Sequence, residues 1–144
     1  QETKLTEITH RSALETGAII EHDFRKLGYG ANIDTAIVSL SNKSITFKAD
    51  LNNDGNANTI SYTEIKEKGN TFLERKIDNQ QNKTWTVPVS EFSIFGITSA
   101  GDTTQVIENI RSIIFEMRLS EKGMKGDTLD VGVFWRRQFF PKNL

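Results

Sequence analysis

The sequence predicts an α+β domain, a long N-terminal α-helix packed on an antiparallel β-sheet head. Three observations carry that expectation. Apolar residues recur at helical spacing over the first 27 positions. From Gly30 onward the pattern changes to period two. No helical periodicity lies between the strand candidates, so the crossover helices that parallel strands need are missing. At 144 residues the chain suits one domain. The expected division is a single unit over 1–144, with the helix over 1–27 and the β-rich head over 31–144.

The helix comes first. Ala13, Gly17, Ile20, Phe24 and Leu27 fall on one stripe, and Leu14 and Ile19 widen it. Glu7, Arg11, Glu15, Glu21, Asp23, Arg25 and Lys26 fill the other positions. Arg25 and Lys26 stand in the last turn, where the helix dipole favours cations, and Gly28 follows as a residue able to turn left-handed. Gly17 costs about 1 kcal/mol against Ala in a helix interior, so it marks close approach to a neighbour. A helix of this length spans roughly 40 Å, and its first turns are expected to project beyond the core. Leu5 and Ile8 lie on that projecting end and are the candidate subunit contacts. The run Gln1–Glu7 shows no N-cap ahead of an apolar stretch. The helix is therefore expected to be entered in mid-course, its first part absent from this sequence.

The strands follow. Ile45, Phe47, Ala49 and Leu51 alternate with polar residues, as do Ile60 and Tyr62. Ile113, Phe115, Met117 and Leu119 form a third alternating set, and Val131, Val133 and Trp135 a fourth. Shorter candidates are Ala36–Leu40, Thr71–Ile77, Thr84–Val87 and Phe92–Ile97. Asn53-Asp54-Gly55, Lys68-Gly69-Asn70, Ala100-Gly101-Asp102 and Lys122-Gly123 punctuate them as turns.

Composition excludes several functions. The chain has 18 Lys+Arg against 19 Asp+Glu, a net charge of -1, unlike a generally basic nucleic-acid binder. It has no cysteine, so disulfides, thiolate metal sites and cysteine nucleophiles are absent. No run of apolar residues is long enough to span a bilayer. His10 and His22 are too far apart on a helix to share a metal, and no G-x-S-x-G, P-loop or G-x-G-x-x-G occurs. An enzyme is not expected.

Asp50-Leu51-Asn52-Asn53-Asp54-Gly55 matches the opening of a calcium loop, in which alternate oxygens converge and Gly permits the sharp turn. Asp50, Asn52, Asp54 and the carbonyl of Asn56 would be the ligands. The twelfth position is Ser61 rather than a bidentate Glu, and the flanks read as strands. Two readings stand: a weak calcium site, and a hairpin turn in which Asp, Asn and Gly supply the backbone angles. The first would make the chain a secreted calcium-dependent binding module. The basic and aromatic C-terminus, Trp135 to Leu144, reads as a last strand with its apolar face inward and its arginines toward water. Asn42-Lys43-Ser44 and Asn82-Lys83-Thr84 fit the glycosylation sequon, with no function attached.

Five stretches together resemble one family. Asp23-Phe24-Arg25-Lys26-Leu27-Gly28-Tyr29 is similar to the D-[ILF]-R-x-[AL]-G-Y signature that ends the long helix of minor type IV pilins of the W type and pseudopilins of the J type. Thr46-Phe47-Lys48-Ala49-Asp50-Leu51 with Asp54-Gly55 and Ile60-Ser61-Tyr62 resembles their following hairpin. Val89-Ser90-Glu91-Phe92-Ser93-Ile94-Phe95 and Ile110-Arg111-Ser112-Ile113-Ile114-Phe115 resemble a later strand pair. Pro141-Lys142-Asn143-Leu144 is similar to their frequent R-P-R-N-L terminus, with Lys in place of the second Arg. The resemblance implies a pilin-like fold and a structural subunit near the tip of a type IV pilus or type II secretion pseudopilus. It implies other pilin subunits as partners, a membrane anchor in an apolar half-helix that this sequence does not contain, a bacterial cell-envelope location, and no required cofactor.

Overall fold

The computed structural model describes residues 2–31, 36–78, 80, 84–122, 130–142 and 144, with side chains at 2–12, 84, 120–122 and 130–131 left aside. Among the described residues one α-helix, α1 (Glu2–Arg25), precedes eight strands, with a short 3-10 turn at Ile107–Asn109. The strands are β1 (Ile37–Ser41), β2 (Ser44–Ala49), β3 (Asn58–Glu67), β4 (Asn70–Ile77), β5 (Thr84–Ile97), β6 (Thr103–Thr104), β7 (Ser112–Lys122) and β8 (Asp130–Phe139). All pairings are antiparallel, in the order β1-β2-β3-β4-β5-β7-β8, and β6 pairs β5.

The expected architecture, a long helix laid on a sheet, is overturned. The protein is mostly antiparallel β, and its sheet curls into a half-barrel. The physical reason lies in the strands. Neighbouring strands twist by roughly 20–25°, so a sheet of this many strands turns through far more than a right angle. Its concave face then meets itself and forms most of the core. Among the described residues the helix adds only Ala13, Ile20 and Phe24 to the buried apolar cluster, with Leu27 just beyond it. The remainder comes from the sheet and its loops, including Ile45, Phe47, Ile60, Tyr62, Leu73, Phe92, Ile94, Phe115, Met117 and Phe139.

Alternation places those side chains. In β2 every second residue is buried, with Ser44, Thr46 and Lys48 turned to the convex face. Phe24 plugs the concavity, its ring 4.8 Å from Phe47, 5.5 Å from Tyr62, 5.6 Å from Phe115 and 5.1 Å from Phe139. Burying such a ring stabilises by about 3 kcal/mol.

Two strand candidates, Thr84–Val87 and Phe92–Ile97, are one strand. β5 pairs β4 as far as Pro88, then pairs β7 from Val89, with a register shift between Val89 and Glu91. Proline lacks an N–H and is tolerated where a ladder hands over. Beyond that point β5 has left β4, and the β1–β2 turn fills the vacated side. Ile94 N–H donates to the Asn42 carbonyl at 3.0 Å and Glu64 N–H to the Lys43 carbonyl at 2.9 Å.

The helix ends as its sequence suggests. Gly28 has φ of 83°, the left-handed region glycine enters freely. Its N–H donates to the Lys48 carbonyl at 2.8 Å, and Asp50 N–H donates to the Tyr29 carbonyl at 2.8 Å. The chain therefore leaves the helix bonded to the end of β2. The turn at Lys122-Gly123 and the sequon at Asn82 lie outside the described residues.

Candidate functional site

Three features gather at the helix. The first is a buried ionic clasp. Asp23 counted among the solvent-facing charges by sequence, yet it is fully buried. Its Oδ2 accepts from Tyr62 Oη at 2.5 Å and Arg75 Nε at 2.6 Å, and its Oδ1 accepts from Arg75 Nη2 at 2.9 Å. Tyr62 and Arg75 are register partners on β3 and β4, so one carboxylate ties the last helical turns to two strands. A bidentate Arg–carboxylate pair is directional as well as strong. Burial, then the charge of Asp23, raises the Tyr62 hydroxyl well above the ordinary tyrosine value. Burial works to lower Arg75, but the hydrogen bonds and charge of Asp23 outweigh it and the guanidinium is held above its usual range. Both carboxylate oxygens are engaged, so the clasp positions the helix rather than offering an acid or base.

The second feature is the turn over 50–56. Asp50 is 2% exposed and faces back into its own loop. Its Oδ1 accepts from Asp54 N–H at 3.2 Å and its Oδ2 from Gly55 N–H at 2.8 Å. Asp54 Oδ1 accepts from Asn56 N–H at 2.8 Å. Burial works to raise the Asp50 carboxyl, but the backbone donors of Gly55 and Asp54 overcome it and leave it below its ordinary value. Asn53, at φ 58°, and Gly55, at φ 86°, supply the left-handed positions. Asn52 and Asn56 are exposed. Lys26 Nζ donates to the Leu51 carbonyl at 3.0 Å and to Asn53 Oδ1 at 3.4 Å. Of the four candidate calcium ligands, Asp50 and Asp54 hold the turn together. Lys26, a residue of the helix end, brings the cation. Among the described residues no group of three or more His, Cys, Asp or Glu is placed to hold a metal.

The third feature is the helix surface and its neighbour β8. Leu5 and Ile8, the candidate subunit contacts, lie in α1, but their side chains fall outside the described residues. Leu14 and Ile19 do not widen the buried stripe: they are 76% and 38% exposed. Gly17 is where the helix touches β8. A Cβ there would stand 2.6 Å from Trp135 Nε1, which is the close approach its sequence suggests. Arg137 donates to Glu21 Oε1 at 3.0 Å and lies over the Trp135 ring at 5.5 Å. The C-terminal strand turns Phe139 inward and leaves Arg136 and Arg137 exposed, as expected, and each arginine is also paired at the surface, Arg136 with Glu116 at 3.3 Å and Arg137 with Glu21. Phe134 and Phe140 are exposed.

Two open depressions lie on the surface of the described residues. One of about 300 Å³ lies where the β1–β2 turn meets β5 and β6, between Asn42, Phe95 and Gln105. Another of about 380 Å³ lies on the convex face between Thr46, Thr59, Ser61 and Asp78. Neither brings a nucleophile to a base. No family model matches the chain, and no curated protein or solved structure matches it.

Proposed function

We propose that the chain is a structural subunit without catalytic activity, a minor pilin or pseudopilin that joins other pilin subunits near the tip of a type IV pilus or type II secretion pseudopilus in the bacterial envelope. The observation that carries this reading is the helix seen from both sides. One side is locked to the sheet by Asp23, Phe24 and Gly17. Leu14 and Ile19, on the two flanks of that side, are exposed. A helix so held is a rigid arm, and apolar residues left exposed on its flanks suit helix–helix packing with neighbours.

The family-like motifs support the same reading through the work they do here. Asp23 forms the clasp, Phe24 the plug and Gly28 the helix stop. Asp50 and Gly55 close the turn that receives the helix end. All belong to the framework that presents the helix. The alternative, a calcium-dependent binding module, would need Asp50 and Asp54 to give up the Gly55 and Asn56 N–H groups from which they accept.

The test is incorporation. In the source bacterium, Ile19→Glu removes the chain from sheared surface filaments and from assembled pseudopili, while circular dichroism of the purified variant stays unchanged. Absence of the wild-type chain from both kinds of assembly refutes the reading.

A further inference from the structure

We propose that Asp54–Gly55 is a site of spontaneous isoaspartate formation that the folded turn holds closed, and that Asp50 is the residue that closes it. The chemistry is independent of the filament reading.

The reactive pair is set by the sequence. Asp54–Gly55 is the only Asp-Gly pair in the chain, and Asn-Gly does not occur. In such a pair the glycine nitrogen attacks the carboxyl carbon of the preceding side chain. A C–N bond forms, and the carboxyl hydroxyl leaves as water with the proton of that nitrogen. The product is a five-membered succinimide. Water then opens the ring at one carbonyl to restore Asp, or at the other to leave the main chain running through the side-chain carbon as isoaspartate. Glycine favours the attack because no Cβ stands beside its nitrogen and its backbone turns freely.

Packing does not guard the pair. Asp54 and Gly55 are exposed, and a Cβ on Gly55 would meet nothing within 4 Å. Hydrogen bonding guards it instead. Gly55 N–H, whose proton has to leave, donates to Asp50 Oδ2 at 2.8 Å, and Asp54 N–H donates to Asp50 Oδ1 at 3.2 Å. One carboxylate, 2% exposed, thus pins the peptide nitrogens on both sides of the reacting side chain. The Asp54 carboxylate is itself tied, its Oδ1 accepting from Asn56 N–H at 2.8 Å. Attack requires the Gly55–Asp50 bond to open. The charge of Asp50 also opposes the negative charge that develops on the nitrogen as its proton departs.

The turn has a structural reason to stay unmodified. Isoaspartate adds a methylene to the main chain and carries Gly55 N–H out of register with Asp50. Asp50 N–H donates to the Tyr29 carbonyl and Lys26 Nζ to the Leu51 carbonyl, so the damaged turn would be the one that receives the helix end.

The purified chain is incubated at mildly acidic pH well below its melting temperature. Isoaspartate at position 54 is then followed by peptide mapping and by methyl transfer from an isoaspartate methyltransferase. The folded wild type forms it about tenfold or more slowly than the same chain unfolded in urea, the factor expected when a hydrogen bond to a charged group must open first. Asp50→Ala, folded by circular dichroism, closes most of that gap. Gly17→Ala, destabilised away from the turn, stays at the wild-type rate. In the wild type the Gly55 amide exchanges slowly despite its exposure, a readout that needs no variant. Equal rates in the folded and unfolded chain, or an unprotected Gly55 amide, would overturn the proposal. So would an Asp50→Ala rate at or below wild type, which would make Asp50 idle or the base that draws the proton, or a Gly17→Ala rate raised as far as that of Asp50→Ala.

Discussion

Asp23→Asn tests the clasp directly. The substitution keeps the size of the side chain and one acceptor oxygen but removes its charge. Arg75 remains, its side chain only 12% exposed, facing a position that is 0% exposed. Removing one partner of a buried pair costs about 3–5 kcal/mol, because the other charge is left uncompensated. An independent route agrees. Hydrogen bonds to a charged group contribute roughly 1.5–3 kcal/mol each, and Asn surrenders at least one of the two from Arg75 while weakening that from Tyr62. The expected loss is ~4 kcal/mol, about a quarter or more of a typical domain's stability. For a chain of this size each kcal/mol moves Tm by roughly 2–4 °C, so Tm falls by roughly 10–15 °C in a calorimetric scan. Asp23→Asn/Arg75→Met removes both charges and loses less than the single variant, since well-packed apolar replacement of a buried pair is often near neutral. A drop of only a degree or two for Asp23→Asn, or a double variant weaker than the single, would refute the account of the clasp.

Gly17→Ala gains about 1 kcal/mol of helix propensity but drives a methyl to 2.6 Å from Trp135 Nε1. Overpacking costs about 1–3 kcal/mol, so urea denaturation shows net loss, with a shifted tryptophan emission. The Asp50 carboxyl lies below the ordinary value of 3.8, so its contribution to stability is present above that pH and disappears as pH falls through the lower folded value. Asp50→Asn is therefore less stable than wild type at neutral pH, and the gap closes in acid melts. Tyr62 lies above the ordinary 10.0, so its contribution is present below pH 10 and is lost as pH rises beyond it. Tyr62→Phe flattens the alkaline limb of the stability curve. Millimolar calcium leaves the melting temperature of the wild-type chain unchanged, and a rise would restore the loop as a metal site.

The strand positions were legible because period two is a property of half-buried strands, and Ile45–Phe47–Ala49 shows it plainly. The helix end was legible because Gly28 offers a left-handed stop after two cations. Gly17 announced a close neighbour without naming Trp135, which is more than a hundred positions away. Asp23 was misread because composition treats an acid on a helix as solvated. The signal was present in spacing: Thr16, Ile20, Asp23 and Leu27 step by four, three and four residues, so the acid sits inside the buried stripe. Its partners, Tyr62 and Arg75, are unremarkable in their own strands, and only the fold brings the three together. Leu14 and Ile19 failed the other way. Both are apolar, but their angular positions flank the stripe, and angle decided exposure.

One residue inside β5 bears on the curl of the sheet, Pro88, which lies between the separate strand candidates Thr84–Val87 and Phe92–Ile97. In the structure Pro88 is the last residue paired with β4, and Val89 the first paired with β7. The strand survives because proline's missing donor falls where one ladder ends and the next begins. That continuity joins β1–β4 to β7–β8 in one surface, and twist then curls it. Once the sheet curls, β5 past Pro88 presents a side that β4 has left: β6 pairs it at Gly96 and Ile97, and a turn reaching over from the opposite end covers it nearer Ile94. Asn42 and Lys43 do so, with Lys43 Nζ donating to the Phe92 carbonyl at 2.5 Å. The closure leaves a concavity whose middle is wide enough for one aromatic ring, and Phe24 fills it. The helix is thus seated by the sheet rather than the sheet spread on the helix. Shortening the β1–β2 turn by deleting Asn42 and Lys43 should therefore loosen Phe24, which is far from the deletion in sequence. Amide exchange in the last turns of α1 reads that coupling. Unchanged protection there would mean that the helix is held independently of the β1–β2 turn.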